Sequence, residues 1–413
     1  MRKSNFVYLI FHTFTADLLF WIVIDNLFLS TVKGFSAFQI VLVTLLGLAF
    51  SLLLYPLTNY IVKKTSNKTS IILAALCYVI AISLFMVCDN IIGFIVGQTF
   101  YSLSSPFKTV SSVMLKNNLK EQGKSEEFVK WKSYGKLSYA TITLIVSIIA
   151  GFLFNVHAYL PLVLSLCCAL IGLIFSFIYQ DSNVKEENDK IQEETKTPLY
   201  KNRIMFLIML MNIIAVGTYI FLQQKATLLI QYVLEDVQID IAKISIIISG
   251  IVFGSRLCRV ISNLIYPKIY KTINNKHKIV LVISLLILSS NLLFAIGANL
   301  NINYIVKLIL ITIGFYIILS VRDLYAVTED EIIRKSIPAN QQKQAYVLAN
   351  IYGKFGRLAS NAFALVILGF MPLNVVYALM LVLAVGQIFI CIPLSNNFKI
   401  KNEIRTYGGN INE

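Results

Sequence analysis

The sequence predicts an all-α integral membrane protein of twelve spanning helices arranged as two pseudo-symmetric six-helix bundles. Three observations carry that prediction. Of 413 residues, 57% are apolar and 14% charged, with a mean hydropathy of +0.74; a soluble chain carries about 25% charged residues. Apolar runs of about 20 residues, the length that crosses the hydrocarbon core, recur twelve times. Finally, a charged stretch in mid-chain divides those runs six and six.

The first span, 6–30, follows directly on MRKSN and contains FTADLLFWIVIDNLF, an apolar run that keeps Asp17 and Asp25. Span 2, 38–62, ends at Lys63 and Lys64. Span 3 covers 71–88. Span 4, 91–115, contains Pro106 and Lys108. Spans 5 and 6 cover 134–156 and 159–179. The segment DSNVKEENDKIQEETKTPLYKNR, 181–203, mixes both charge signs and reads as a solvated linker. Span 7, 204–233, is interrupted by Gln223-Gln224-Lys225, and span 8, 243–267, holds Arg256 and Arg259. Spans 9 to 12 cover 279–298, 303–327, 350–371 and 374–395. The expected domains are 1–180, a linker at 181–203, a second bundle at 204–395 and a tail at 396–413.

Of the 36 Lys and Arg residues, 28 fall in the termini, in alternate connections and at the adjoining ends of spans 5 and 11 (Lys136, Lys354 and Arg357), against three on the opposite edges (Lys33, Lys243 and Lys307). Basic residues mark the cytoplasmic side, so both termini are expected in the cytoplasm of a cell membrane. The net charge of +15 is absorbed by that orientation; no aromatic-basic nucleic-acid motif accompanies it.

The halves resemble each other. YIVKKTSNKTSIIL after span 2 matches KIYKTINNKHKIVL after span 8 at an offset of 208, including Lys63/Lys271, Asn67/Asn275 and Lys68/Lys276. Tyr134-Gly135-Lys136 opens span 5 as Tyr352-Gly353-Lys354 opens span 11, at an offset of 218. Six being even, the repeat is parallel, about an axis along the membrane normal.

Catalytic and cofactor signatures are absent. There is no GxxxxGK[ST], no HExxH and no nucleophile elbow, and His12, His157 and His277 are scattered. The six cysteines lie in or beside apolar runs without a CxxC and read as small apolar side chains. No enzyme activity, cofactor or metal is expected.

With twelve spans, a 6+6 repeat and a charged central loop, the chain resembles the major facilitator superfamily. Its Ile-, Asn- and Lys-rich wording resembles transporters of AT-rich Gram-positive bacteria. The family's GxLADRxGRK loop aligns with Thr58 to Lys68, where Lys63 keeps a basic position but Thr58 and Thr65 replace the glycines and Val62 the acid. Span 5, SYGKLSYATITLIVSIIAGF, has no proline and so lacks the motif of many drug/proton antiporters. The resemblance implies that helices 1, 4, 7 and 10 line a central cavity and that the halves rock about it.

An intramembrane charge costs about 2.5–3.5 kcal/mol on insertion scales and so marks function. Asp17, near mid-span, is the candidate for proton coupling. With Thr13, Trp21 and Asp25 it forms an i, i+4 stripe expected to face a cavity. Gln98, Gln223, Gln224, Lys225 and Arg256 are further substrate-cavity candidates. Lys108, Arg259, Arg322 and Asp323 are gate or ion-pair candidates, Lys108 and Arg322 matching at an offset of 214. Glu329, Asp330 and Glu331 are expected to pair with cytoplasmic Lys and Arg; as a charge run they read most simply as a solvated face. The expected function is secondary transport of a small solute by alternating access, coupled to protons. The alternatives are a lipid or glycolipid flippase and a non-transporting receptor or assembly factor. The expected partners are a small-molecule substrate, protons and the bilayer, and no nucleic acid; the sequence leaves oligomeric state open.

Overall fold

A computed structural model describes residues 2–124, 127–180, 201–272, 277–337 and 339–408. Residues 181–200 of the expected linker lie outside the described residues. The described residues form helices and connections, as expected of an all-α membrane chain.

In chain order the helices are α1 (Arg2–Thr15), α2 (Trp21–Leu27, continued by a π-helical turn, Phe28–Val32), α3 (Ala37–Leu53), α4 (Tyr55–Lys64), α5 (Asn67–Val87), α6 (Ile91–Lys108), α7 (Val110–Glu121), α8 (Phe128–Val156) and α9 (Leu160–Ile178). The second series is α10 (Arg203–Met211), a π-helical turn (Asn212–Val216), α11 (Gly217–Glu235), α12 (Ile241–Thr272), α13 (His277–Asn299), α14 (Tyr304–Ser336), α15 (Ala339–Leu368) and α16 (Leu373–Gly408).

Short polar side chains start many of these helices. Ser36 forms a capping box with Gln39, Ser66 caps α5, and Asn90, Asn202 and Asn303 cap α6, α10 and α14. Three expected single spans are interrupted. Span 2 bends by 50° between α3 and α4, where Pro56 sits in the first turn of α4; its ring forbids a straight continuation. Span 4 breaks at Thr109, three residues after Pro106. Span 1 breaks between Thr15 and Trp21. Spans 10 and 12 run on instead, to Ser336 and Gly408, because their polar ends stay helical past the apolar stretch.

Among the described residues, eight helices are long and apolar enough to cross a membrane, or nine counting the bent α3–α4 pair. The expected first, fourth and eleventh spans fall short of that measure. The first is broken, α6 is rich in small polar residues around Lys108, and α15 carries Lys354 and Arg357.

Two compact units emerge: Met1–Glu187 with Asp240–Phe253, and Asn188–Ile239 with Gly254–Glu413. The first unit thus takes in the start of α12. There Asn155 Nδ2 donates to Ala242 O at 2.8 Å and Ser245 Oγ donates to Asn155 Oδ1 at 2.6 Å. Gly151 permits this approach, since a Cβ on it would lie 2.3 Å from Ser249 Oγ. In the second unit, Gly217 and Gly356 press α11 and α15 together, with a Cβ on Gly217 falling 2.5 Å from Gly356 O.

Candidate functional site

The interruption of span 1 organises the polar interior of the first unit. A helix that stops inside a membrane exposes carbonyls at one new end and N–H groups at the other, and each must find a partner. Here they do. The Lys108 ammonium donates to Thr15 O at 3.1 Å and Ala16 O at 2.9 Å, and reaches Tyr78 Oη at 3.5 Å, which occupies all three of its protons. The Tyr78 hydroxyl adds a bond to Ala16 O at 3.3 Å. At the other end, Trp21 N donates to Ser165 Oγ at 3.0 Å. Gly172 of α9 makes room for the break: a Cβ there would lie 2.8 Å from Thr15 Cγ2.

Asp17 sits inside this gap. Its Oδ1 accepts from Leu18 N at 2.9 Å and from the Tyr101 hydroxyl in a short bond, and its Oδ2 accepts from the Tyr139 hydroxyl at 3.3 Å. Tyr101 comes from α6 and Tyr139 from α8, so one carboxylate ties three helices together. The charges suit the helix ends. Lys108 lies at the C-terminal, negative end of α1, and Asp17 precedes the N-terminal, positive end of α2.

The break also corrects the expected stripe, which presupposes one continuous helix. Thr13, 1% exposed, meets Ser138 Oγ at 2.8 Å. Trp21, 6% exposed, stacks on Phe85 with centroids 4.7 Å apart. Asp25 accepts from Asn26 N at 2.7 Å. The three therefore meet separate surroundings, with Asp17 at the gap between them. Gln98 packs over Gly47, whose Cβ position is 2.4 Å from Gln98 Cγ.

In the second unit Arg259 grips Asp323 through two bonds, Nε to Oδ2 at 2.7 Å and Nη2 to Oδ1 at 3.0 Å, and Asn263 adds a third at 2.7 Å. Arg322 donates to Gln223 Oε1 at 3.2 Å. Lys225 and Arg256 are buried, and Gln224 is partly so. The Tyr377 hydroxyl donates to Lys225 O at 2.7 Å.

The expectation that Glu329 belongs to a solvated run is corrected. Glu329 Oε1 accepts from Asn212 Nδ2 at 2.6 Å. Asn212, 2% exposed, also donates to Ala349 O at 3.0 Å and accepts from the Tyr325 hydroxyl at 2.6 Å. Glu331 does behave as a helix-surface acid, paired with Lys335 at 3.0 Å. Tyr101, Tyr139 and Asn212 were not read from the sequence. The one available signal is spacing: Tyr101 stands seven residues before Lys108, two turns along the same helix face.

A family model described as Major Facilitator Superfamily matches residues 6–361. No curated protein matches the chain. Solved structures share its fold. The nucleoside transporter NupG is 13% identical with a TM-score of 0.73, the match covering 95% of this chain and 98% of that one. The POT family transporter PepTSo is 11% identical with a TM-score of 0.70, covering 96% and 98%. A D-xylose-proton symporter is 13% identical with a TM-score of 0.63, covering 94% and 95%.

Proposed function

The chain belongs to the major facilitator superfamily, and from that premise we propose that it is a secondary transporter that moves a small solute by alternating access, driven by protons that bind at Asp17. In this reading twelve spans cross the cell membrane and both termini lie in the cytoplasm. The two six-helix bundles are 1–180 and 204–395, joined through 181–203 and followed by a tail at 396–413.

One observation carries the coupling role: Asp17 stands in the gap of a broken helix, held by the Tyr101 and Tyr139 hydroxyls. A discontinuous helix gives its half-helix ends to ions and substrates. With Asp17 ionised, two phenols and Leu18 N donate to it. Proton uptake removes that charge and turns one carboxyl oxygen into a donor. One of the two phenol bonds must then reverse, the tyrosine oxygen accepting from the carboxyl, and the pair of charge-assisted bonds that tie the break to α6 and α8 becomes a weaker neutral set. Lys108 keeps the α1 carbonyls covered in both states, so the gap survives the cycle.

Thr13, Trp21, Asp25, Gln98, Gln223, Gln224, Lys225 and Arg256 are proposed as the polar and aromatic groups available to substrate. Of the gate or ion-pair candidates, Arg259 and Asp323 are proposed as an ion pair that gates the path and Arg322 as a gate residue, while Lys108 is the fixed partner of the α1 carbonyls. The related folds transport nucleosides or act as a sugar-proton symporter, which makes nucleosides and pentoses sensible first probes.

The test uses the full chain in proteoliposomes with an imposed pH gradient and a panel of labelled nucleosides, pentoses and short peptides. For any probe that the wild type accumulates, Asp17→Asn abolishes accumulation while exchange of internal for external probe continues. Undiminished gradient-driven accumulation in that variant overturns the coupling role.

A further inference from the structure

Spans 7 to 12 are lopsided in charge. Away from their ends they hold the cations Lys225, Arg256, Arg259 and Arg322 against one acid, Asp323. That acid is taken by Arg259 and Asn263. Glu329, beyond the end of span 10, is taken by Asn212. Even with both acids counted, positive charge is in excess, and an arginine cannot shed its proton to relieve it. Ionised groups kept inside a membrane are costly and mark a substrate or ion path. We propose that the transported solute is an anion, its carboxylate or phosphate group held by Arg322, Gln223 and Tyr219. The inference rests on the transporter reading given above and deepens it by naming the chemical class of the substrate.

The three side chains converge as donors. Arg322 Nη1 donates to Gln223 Oε1 at 3.2 Å, its one hydrogen bond among the described residues. Arginine can only donate, so the Gln223 atom that faces it is the oxygen, and the amide NH₂ is left as a donor. The rest of the guanidinium fork is left as well. Gln223 and Arg322 are both part-exposed, so a solute can reach them. Tyr219 stands one turn before Gln223 on the same face of α11. It is 6% exposed, and its hydroxyl makes no hydrogen bond among the described residues. Its ring meets Tyr325, one turn after Arg322 on α14, edge-on with centroids 5.9 Å apart. Of the charged groups, Arg322 acts most strongly on that hydroxyl, and Arg357 of α15 acts in the same sense. The acids that also reach it are Glu329 and Asp323, both already bonded as described.

A carboxylate or phosphate supplies what this set lacks. Ionised oxygens only accept, two of them match the guanidinium fork, and their charge offsets the surplus cations. A neutral sugar or nucleoside brings hydroxyls that donate as well as accept, and it leaves the charge as it was. Arg322, a gate residue in the reading above, thus closes on the group that it recognises.

The test measures binding to the full chain in lipid nanodiscs with no pH gradient, as a ligand-dependent rise in melting temperature, at constant ionic strength made up with chloride. The probes are pairs that differ in charge, uridine against uridine monophosphate and xylose against xylonate, with inorganic phosphate and acetate as the bare groups. The expected result is saturable stabilisation by the phosphate-bearing or by the carboxylate-bearing probes, which identifies the group, and none by the neutral partner. Arg322→Gln weakens that binding about ten- to hundredfold, as expected for loss of a charged hydrogen bond, and Arg322→Lys recovers part of it. Tyr219→Phe decides the matter if Arg322→Gln fails to fold: it leaves the unliganded melting temperature unchanged, because the hydroxyl bonds no described residue, and it weakens anion binding severalfold. Equal binding of a neutral probe and its anionic partner overturns the proposal. So does anion binding indifferent to both Arg322→Gln and Tyr219→Phe, or the absence of saturable binding by every anion in the panel. With no gradient in the assay, its outcome is separate from the coupling role of Asp17: Asp17→Asn keeps the anion binding, and failure of coupling in the accumulation experiment leaves it standing.

Discussion

Replacing Lys108 by methionine tests the physical basis of the helix break. The substitution keeps a stem of similar volume, so it opens no large cavity. It removes two charged-donor hydrogen bonds, to Thr15 O at 3.1 Å and Ala16 O at 2.9 Å. Ala16 O keeps the Tyr78 hydroxyl at 3.3 Å, whereas Thr15 O loses its Lys108 donor. A buried carbonyl left unsatisfied costs about 1–3 kcal/mol, and loss of the cation at the C-terminal end of α1 adds about 0.3–1 kcal/mol. A total of about 1–4 kcal/mol in a unit of some 200 residues lowers the melting temperature by roughly 3–16 °C. The chain supplies its own reporter. It has two tryptophans, and Trp21 opens α2 immediately beyond the break, stacked on Phe85. In a Trp131→Phe background the emission of Trp21 reports the break directly. The expected outcome is a shifted emission and an earlier melt for Lys108→Met, with partial recovery in Lys108→Arg. Unchanged emission and melting in Lys108→Met would refute the idea that this ammonium closes the helix end.

Gly356→Ala forces a Cβ to within 2.4 Å of Ile213 O and 2.6 Å of Asn212 O, and such overpacking costs about 1–3 kcal/mol. Gly353→Ala, one turn earlier and with nothing nearer than 3.6 Å, instead gains about 0.5–1 kcal/mol from helix propensity; thermal melts of the pair check the contrast. Arg259→Met strands the Asp323 carboxylate and costs about 3–5 kcal/mol, while the double variant with Asp323→Leu recovers most of it; a double-mutant cycle on melting measures this. Outside the spans, the Lys33 side chain is 2% exposed and bonds Asp89 at 2.5 Å and the Tyr159 hydroxyl at 3.1 Å. Burial pulls its ammonium down, but those two bonds outweigh it and raise it above its usual 10.5. A raised cation contributes its full stability below 10.5 and loses it as pH rises through the folded value. The melting gap between wild type and Lys33→Gln is therefore constant across neutral pH and closes only in strong alkali.

The helical architecture was legible because apolar length and basic asymmetry are summed over many residues, and single departures do not disturb them. The interruptions were legible only where a residue enforces them locally. Pro56 and Pro106 announce the breaks in spans 2 and 4. The run Thr13 to Trp21 contains neither proline nor glycine, so nothing local announces the break in span 1. It is imposed from outside, by an ammonium from α6 that satisfies the freed carbonyls and a serine from α9 that satisfies the freed amide. The periodic stripe failed for the same reason, since it assumed the continuous helix that this tertiary contact removes.

Charge drew attention to Asp17 and Lys108, because an ionisable group in hydrocarbon is conspicuous whatever surrounds it. It could not show what each one binds. The partners are neutral: phenols at Asp17, main-chain carbonyls at Lys108. A tyrosine in an apolar run looks the same whether its ring packs or its hydroxyl holds a carboxylate. Glu329 failed in the opposite direction. In TEDEIIRK its neighbours Glu331 and Lys335 do pair along the helix surface, and the run reads as uniformly wet. Yet Glu329 follows Tyr325 by four residues and Arg322 by seven, which places all three on one face of α14. That face meets Asn212, a lone amide in RIMFLIMLMNIIAV. Neither residue is notable by itself; an acid at the end of a charge run and an amide in an apolar run become a site only when the fold brings their helices together. Paired spacing along two helices is thus the sequence signal to seek, because a buried polar group in a membrane has to find its partner on a neighbouring helix.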